Sequence, residues 1–151
     1  MNKLFFTSLV VFGFYFSNSA KAQNCPVISG EFVCAPRGAQ PYHVNVQTYQ
    51  LGPYTAYQFN SAAEGQRQII TNGAIQSLDS AMGKGTYSAR CDGGQLQVTF
   101  MLTTKEGLAY HLTDTIREER KALVRIRLSL PSSQIPVKEV YVCRPYFPPR
   151  R

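Results

Sequence analysis

Two histidines, four cysteines and one misplaced carboxylate are the residues of this chain that could do chemistry. His43 and His111 are the only histidines. His111 and Asp114 are three apart, which on a strand puts them on opposite faces, so they form no dyad. No Gly-x-Ser-x-Gly is present, and no His-x-His, His-Glu-x-x-His or acidic calcium loop. Asp92-Gly93-Gly94 lacks the spaced carboxylates of a calcium site and reads as a hairpin turn. Gly83-Lys84-Gly85-Thr86 is not a phosphate loop, because the full glycine-lysine pattern is missing. The sequence therefore predicts no catalytic residue, no metal, no cofactor and no enzyme.

The cysteines carry a different message. Cys25, Cys34, Cys91 and Cys143 form an even set with no Cys-x-x-Cys. Met1 to Lys3 is a basic start, Leu4 to Phe16 is an apolar run too short to span a bilayer comfortably, and Ala20-Lys21-Ala22 fits a signal cleavage site. Residues 1–22 are read as a signal peptide, 23–144 as one domain and 145–151 as a proline-rich basic tail. The chain is expected to be exported, to the periplasm or beyond, with both cysteine pairs oxidised. Four cysteines allow three pairings. The expected one joins Cys25 to Cys143 and Cys34 to Cys91, because the first would staple the two ends of the domain.

The elements that must hold these residues are strands. Between Gly85 and Leu130 apolar residues recur at period two. Tyr87, Ala89 and Cys91 share a face; so do Leu96, Val98, Phe100 and Leu102. Tyr110, Leu112 and Ile116 follow, with Asp114 as the one charged interruption on that face. Ala122, Val124, Ile126, Leu128 and Leu130 alternate with Arg125, Arg127 and Ser129, which places the two arginines in water. Further strands are expected at Glu31–Cys34, Tyr42–Gln50, Tyr54–Asn60 and Val137–Arg144. Arg67–Thr71 and Ala74–Leu78 flank Asn72-Gly73, a preferred hairpin dipeptide. Asp79 to Lys84 is the one place where a short helical turn would fit. The prediction is an all-β fold, an antiparallel meander closing into an up-and-down barrel, with a two-sheet β-sandwich as the alternative.

In layout, Gly30 to Arg144 resembles the small secreted barrels of the calycin and lipocalin group. The resemblance rests on an exported chain of this size, an all-β meander and a possible link between first and last strands. The lipocalin Gly-x-Trp is absent, and Gly30-Glu31-Phe32 is at best an echo of it. The resemblance carries over no functional residue. It implies a small apolar or amphipathic ligand in the barrel or at its mouth, or an inhibitor role in the envelope, by analogy of fold alone.

Four residues are candidates for such a site: Tyr110, Asp114, Arg125 and Arg127. A carboxylate on a buried face is costly unless paired or close to water; Asp114 is expected either to reach water near a strand end or to line a ligand cavity. The chain has 16 Lys+Arg against 9 Asp+Glu. Removing Lys3 and Lys21 with the signal leaves 14 against 9, a net +5. Export argues against nucleic acid. An anionic envelope component is the expected partner, met by a patch of Arg125 and Arg127 with Arg117, Arg120, Lys121, Arg144, Arg150 and Arg151. The alternative is a protein–protein module using exposed loops. Tyr146 and Phe147 are expected to cover a barrel end. No transmembrane segment is expected in the mature chain, and the sequence leaves the oligomeric state open.

Overall fold

The computed structural model describes residues 24–36, 38–80, 83–131 and 135–148. The signal peptide expected over residues 1–22 and the last three residues of the tail lie outside them. Ten strands follow one another: β1 Gly30–Ala35, β2 Tyr42–Leu51, β3 Tyr54–Ser61, β4 Gly65–Ile70, β5 Gln76–Ser80, β6 Gly83–Asp92, β7 Gln95–Thr103, β8 Ala109–Glu119, β9 Ala122–Pro131 and β10 Val137–Pro145. Each pairs antiparallel with its neighbour in the order β4-β3-β2-β1-β10-β9-β8-β7-β6-β5. The described residues contain no helix. The sheet curls into a nearly closed barrel, an architecture consistent with the lipocalin-like layout.

Period two builds this core as expected on most strands. Val44 and Val46, Tyr57 and Phe59, Tyr87 and Ala89, Leu96, Val98, Phe100 and Leu102, and Leu112 and Ile116 all point inward. Strand β9 is the exception. Leu123 is buried with Arg125 and Arg127 beside it on the inner face, while Leu128 and Leu130 are exposed. The expectation that the arginines face water is overturned, and the basic patch loses both.

The chain also departs from expectation at the seam. Asn72-Gly73 does not join a hairpin, because β4 and β5 lie at opposite ends of the sheet order. Gly73, at φ 70°, bends the chain across the gap. Its N–H donates to the Ala89 carbonyl at 2.9 Å. The Ile70 N–H donates to the Tyr87 hydroxyl, which donates to Gln76 Oε1 at 2.9 Å. Side chains thus complete what the ladder leaves open. The described residues of the expected helical turn Asp79–Lys84 are strand instead: Asp79 pairs with Lys84 and Ser80 with Gly83 across β5 and β6, while 81 and 82 lie outside the described residues.

The two ends of the barrel differ. One is crossed by the lead-in segment, residues 24–29. Ile28 is buried in the core. The Thr48 hydroxyl donates to the Ile28 carbonyl at 2.6 Å and accepts the Ile28 N–H at 2.9 Å. The Tyr57 hydroxyl donates to the Pro26 carbonyl at 2.6 Å. The disulfides are Cys25–Cys91 and Cys34–Cys143, not the expected pairing. Cys34 and Cys143 are direct partners across β1 and β10, so that bridge joins the first and last strands. The other bridge ties the lead-in to β6. Two disulfides point to an oxidising, exported environment. Tyr146 continues the pairing by donating its N–H to the Glu31 carbonyl at 2.8 Å, and its ring meets His43 edge-on. Phe147 is 81% exposed and covers no barrel end.

Closing a loop with a sequence separation of 66 removes much unfolded-state entropy. The double variant C25S/C91S should lose about 2–5 kcal/mol in urea unfolding. A loss well under 1 kcal/mol would show that the segment 24–29 is held by its hydrogen bonds and Ile28 alone.

Candidate functional site

Five charged side chains meet inside the barrel, toward the end opposite the lead-in. Asp114 on β8 stands directly across from Arg127 on β9, and Ile116 across from Arg125. Cross-strand partners share a face, so an inward Asp114 carries both arginines inward with it. The turn enforces this register. Arg120 and Lys121 have φ of 50° and 68°, and Glu119 pairs with Ala122 across them. Such a two-residue turn fits the strand twist, although its usual residues are asparagine and glycine.

The geometry is dense. Arg125 donates from Nε at 3.0 Å and from Nη2 at 2.5 Å to Asp114 Oδ2. Arg127 donates from Nε to Asp114 Oδ1 at 2.9 Å and from Nη2 to Oδ2 at 3.1 Å. Asp114 is wholly buried; Arg125 and Arg127 are 5% and 8% exposed. The second carboxylate is Glu64, from the turn between β3 and β4. Both its oxygens accept Arg125 Nη1 at 2.9 Å. Its Oε1 also accepts Arg127 Nη2 at 3.3 Å, and its Oε2 lies 2.9 Å from Arg67 Nη2. Arg67, on β4, is buried over the rings of Phe59 and Phe100, 5.1 and 5.8 Å from their centroids. Arg125 and Arg127 lie 5.7 and 5.8 Å from the ring of Tyr141. These contacts give weakly hydrated guanidinium planes an aromatic environment in place of water.

Burial shapes each charge. It drives the Asp114 carboxyl above its ordinary value, against the opposing fields of Arg125 and Arg67. Burial also works to raise Glu64, but Arg125 and Arg67 outweigh it and hold that carboxyl below its ordinary value. Burial, with repulsion from Arg125, lowers the Arg67 guanidinium. Arg125 is raised: burial opposes its charge, and Asp114 and Glu64 more than offset this.

Above Glu64 the barrel opens into a recess of about 540 Å³. Pro36, Pro41, Tyr42, Ala63 and Tyr141 supply much of its wall, and Glu64 and Glu139 its acidic groups. Glu139 Oε2 accepts the Tyr141 hydroxyl at 2.6 Å. Burial and the Glu64 charge raise the Tyr42 hydroxyl, which stays protonated and able to donate at neutral pH.

Of the four candidate residues, the structure brings Asp114, Arg125 and Arg127 into one network. Tyr110 shares their inner face and packs against the core, two strand steps from Asp114, but makes none of the network's hydrogen bonds. Asp114 does not reach water. Sequence reasoning missed Glu64 and Arg67. Glu64 lies in a polar loop where a charge is ordinary, and Arg67 falls on a short strand without strong alternation. His43 and His111 are both exposed, and His43 pairs with Glu31 at 2.9 Å on the outer surface. The described residues contain no group of side chains suited to a metal ion. No family model, no curated protein and no solved structure matches the chain.

Two outcomes are expected of this network. Asp114→Leu leaves two buried arginines without their main partner, and should cost about 3–5 kcal/mol in denaturant unfolding. The triple variant D114L/R125M/R127L should recover most of that loss, since a packed apolar substitute needs no charge balance. A stabilised D114L single variant would refute the pairing. The second concerns pH. Because the folded Glu64 carboxyl sits below its ordinary 4.5, its contribution to stability is complete above that value and disappears as pH falls through the folded one. Wild type should exceed E64Q in urea midpoint at pH 7, and the gap should shrink below pH 4.5. A pH-independent gap would show that Glu64 acts through packing.

Proposed function

We propose that this is an exported, non-catalytic binding protein that holds a small amphipathic ligand at the mouth of its barrel. The observation that carries the reading is the recess of about 540 Å³ over the Glu64–arginine network. Its size falls within the range of small-molecule sites, and it combines proline, alanine and tyrosine surface with a few convergent polar groups. The ligand sits at the mouth rather than deep inside. Tyr57, Phe59, Leu96, Val98 and Phe100 fill the barrel below, and the lead-in crosses its far end. Delivery through a signal peptide over residues 1–22, to the periplasm or outside the cell, completes the proposal. Catalysis is a weaker reading, because the exposed histidines lie on the outer surface, away from the recess.

A second reading is an envelope interaction module. It draws on the outer face of β9 and β10, where Leu128, Leu130, Val140 and Val142 are exposed and apolar. Such a patch on a soluble protein often marks a contact surface. The recess is more specific, because it joins shape, aromatic walls and charge in one place.

The test is to fill the recess. Ala62 and Ala63 are exposed on the β3–β4 turn at its rim. Octanol and octanoate, titrated calorimetrically into the mature oxidised protein, should bind, and A62W should weaken binding at least tenfold with the fold intact by circular dichroism. Equal binding by A62W and wild type would place any ligand elsewhere and remove the basis of this reading.

A further inference from the structure

Glu64 occupies the position that a ligand's head group would need. Its carboxylate is held by three guanidiniums: Arg125 on both oxygens, Arg127 on one and Arg67 on the other. The site is therefore already shaped for a carboxylate, and the chain supplies one from a turn. Resting on the mouth-binding reading, we infer that Glu64 is a displaceable place-holder, and that the recess takes a monocarboxylate with an apolar body whose carboxylate replaces that of Glu64 on Arg67, Arg125 and Arg127.

Charge supports the exchange. Three arginines against Asp114 and Glu64 leave the interior with a net of one positive charge. Swapping one carboxylate for another preserves that balance, whereas a neutral head group would leave two positive charges in excess. Arg67 Nε is buried and has no hydrogen-bond partner, so the arginine set holds a donor that Glu64 leaves unused. A buried, unsatisfied donor of this kind is costly. A carboxylate arriving on a separate molecule is not restricted by the turn and is free to settle against it.

The place of Glu64 in the chain, on a turn rather than in a strand, supports it as well. Glu64 follows Ala62 and Ala63, both exposed, in a three-residue link between β3 and β4. Gly65, at φ 75°, takes the left-handed conformation next to it. The Ala63 N–H donates to the Ser61 hydroxyl at 3.1 Å, the alanine side chains add no further polar anchor, and Glu64 itself lines the recess. Asp114, in contrast, is fixed on the central strand β8 and wholly buried, so it stays as the permanent counter-charge. Glu139 at the rim is a like charge that disfavours a polyanion. This selects a single carboxylate over a phosphate dianion. The apolar body would lie against Pro36, Pro41, Tyr42 and Tyr141.

The experiment compares octanoate with octanol in wild type, E64Q and E64D by titration calorimetry at two salt concentrations. Glu64→Gln removes the competing charge, and Glu64→Asp withdraws it by one methylene. Octanoate affinity should rise at least tenfold in E64Q and by a smaller factor in E64D. Octanol should change less than twofold. The octanoate gain should diminish at high salt to the extent that the site remains open to solvent. If E64Q fails to fold, E64D alone decides, with any selective gain for octanoate supporting the exchange. An unchanged octanoate-to-octanol ratio, or weaker octanoate binding, would show a purely structural ion cluster and overturn the inference. In that case A62W still reports on the mouth site: both probes lost in A62W, with no charge preference, leaves mouth binding standing without the exchange. Failure of both probes in every variant overturns the two together.

Discussion

The structure depends on one electrostatic constraint, the neutralisation of Asp114 inside the barrel. An isolated buried carboxylate is several kcal/mol too costly to keep ionised. Arg125 and Arg127 meet it with four hydrogen bonds. Those arginines then need more acceptors than one carboxylate provides, and Glu64 is drawn in from the β3–β4 turn. Arg67 joins from β4. One interior charge thus links the paired strands β8 and β9 to β4 and the β3–β4 turn, which the backbone ladders do not connect to them directly. A carboxylate network of this kind specifies strand register, because a one-residue slip of β9 would put both guanidiniums outside and leave Asp114 alone.

That constraint also explains which part of the fold was legible in the sequence. Strands β6, β7 and β8 follow their apolar periodicity to the correct face, and the inward position of Asp114 follows with them. On β9 the same rule gives the wrong face. Val124, Ile126, Leu128 and Leu130 are the more apolar set, and Val124 is itself buried, yet the side bearing Leu123, Arg125 and Arg127 turns inward and leaves Leu128 and Leu130 exposed. Hydrophobic burial on one strand loses to charge neutralisation with its neighbour. The signal that resolves it is the turn: if Arg120-Lys121 is a two-residue connection, Asp114 must face Arg127. Neither residue type announces positive φ, so the sequence conceals that register.

Long-range pairings were less legible for a related reason. Asn72-Gly73 has the chemistry of a tight turn and does bend the chain, but it bends across the barrel seam. Local turn chemistry says that the direction changes; it does not say which strand waits on the other side. The cysteines follow the same logic. Joining Cys34 to Cys143 requires β1 and β10 to be neighbours in register, which is a property of barrel closure rather than of spacing. The link between first and last strands was foreseeable from that closure. The partner of Cys25 was not, because it depends on the path of an irregular segment over the barrel end.

The asymmetry of the two ends connects stability with function. At one end, a disulfide, Ile28 and three hydrogen bonds fix the chain across the opening. At the other, the closure is electrostatic and rests on one glutamate in a short turn. A disulfide closure does not exchange with a solute that is not a thiol. An ion-paired closure can, because a dissolved carboxylate offers the same bonds to the same arginines. The costly step, taking three guanidiniums out of water, is completed when the barrel folds, and on the proposed reading it would not be repeated for a ligand. Preorganisation of this kind lowers the cost of binding. It would also let a small recess discriminate by charge: only a ligand that restores the interior balance replaces Glu64 without penalty.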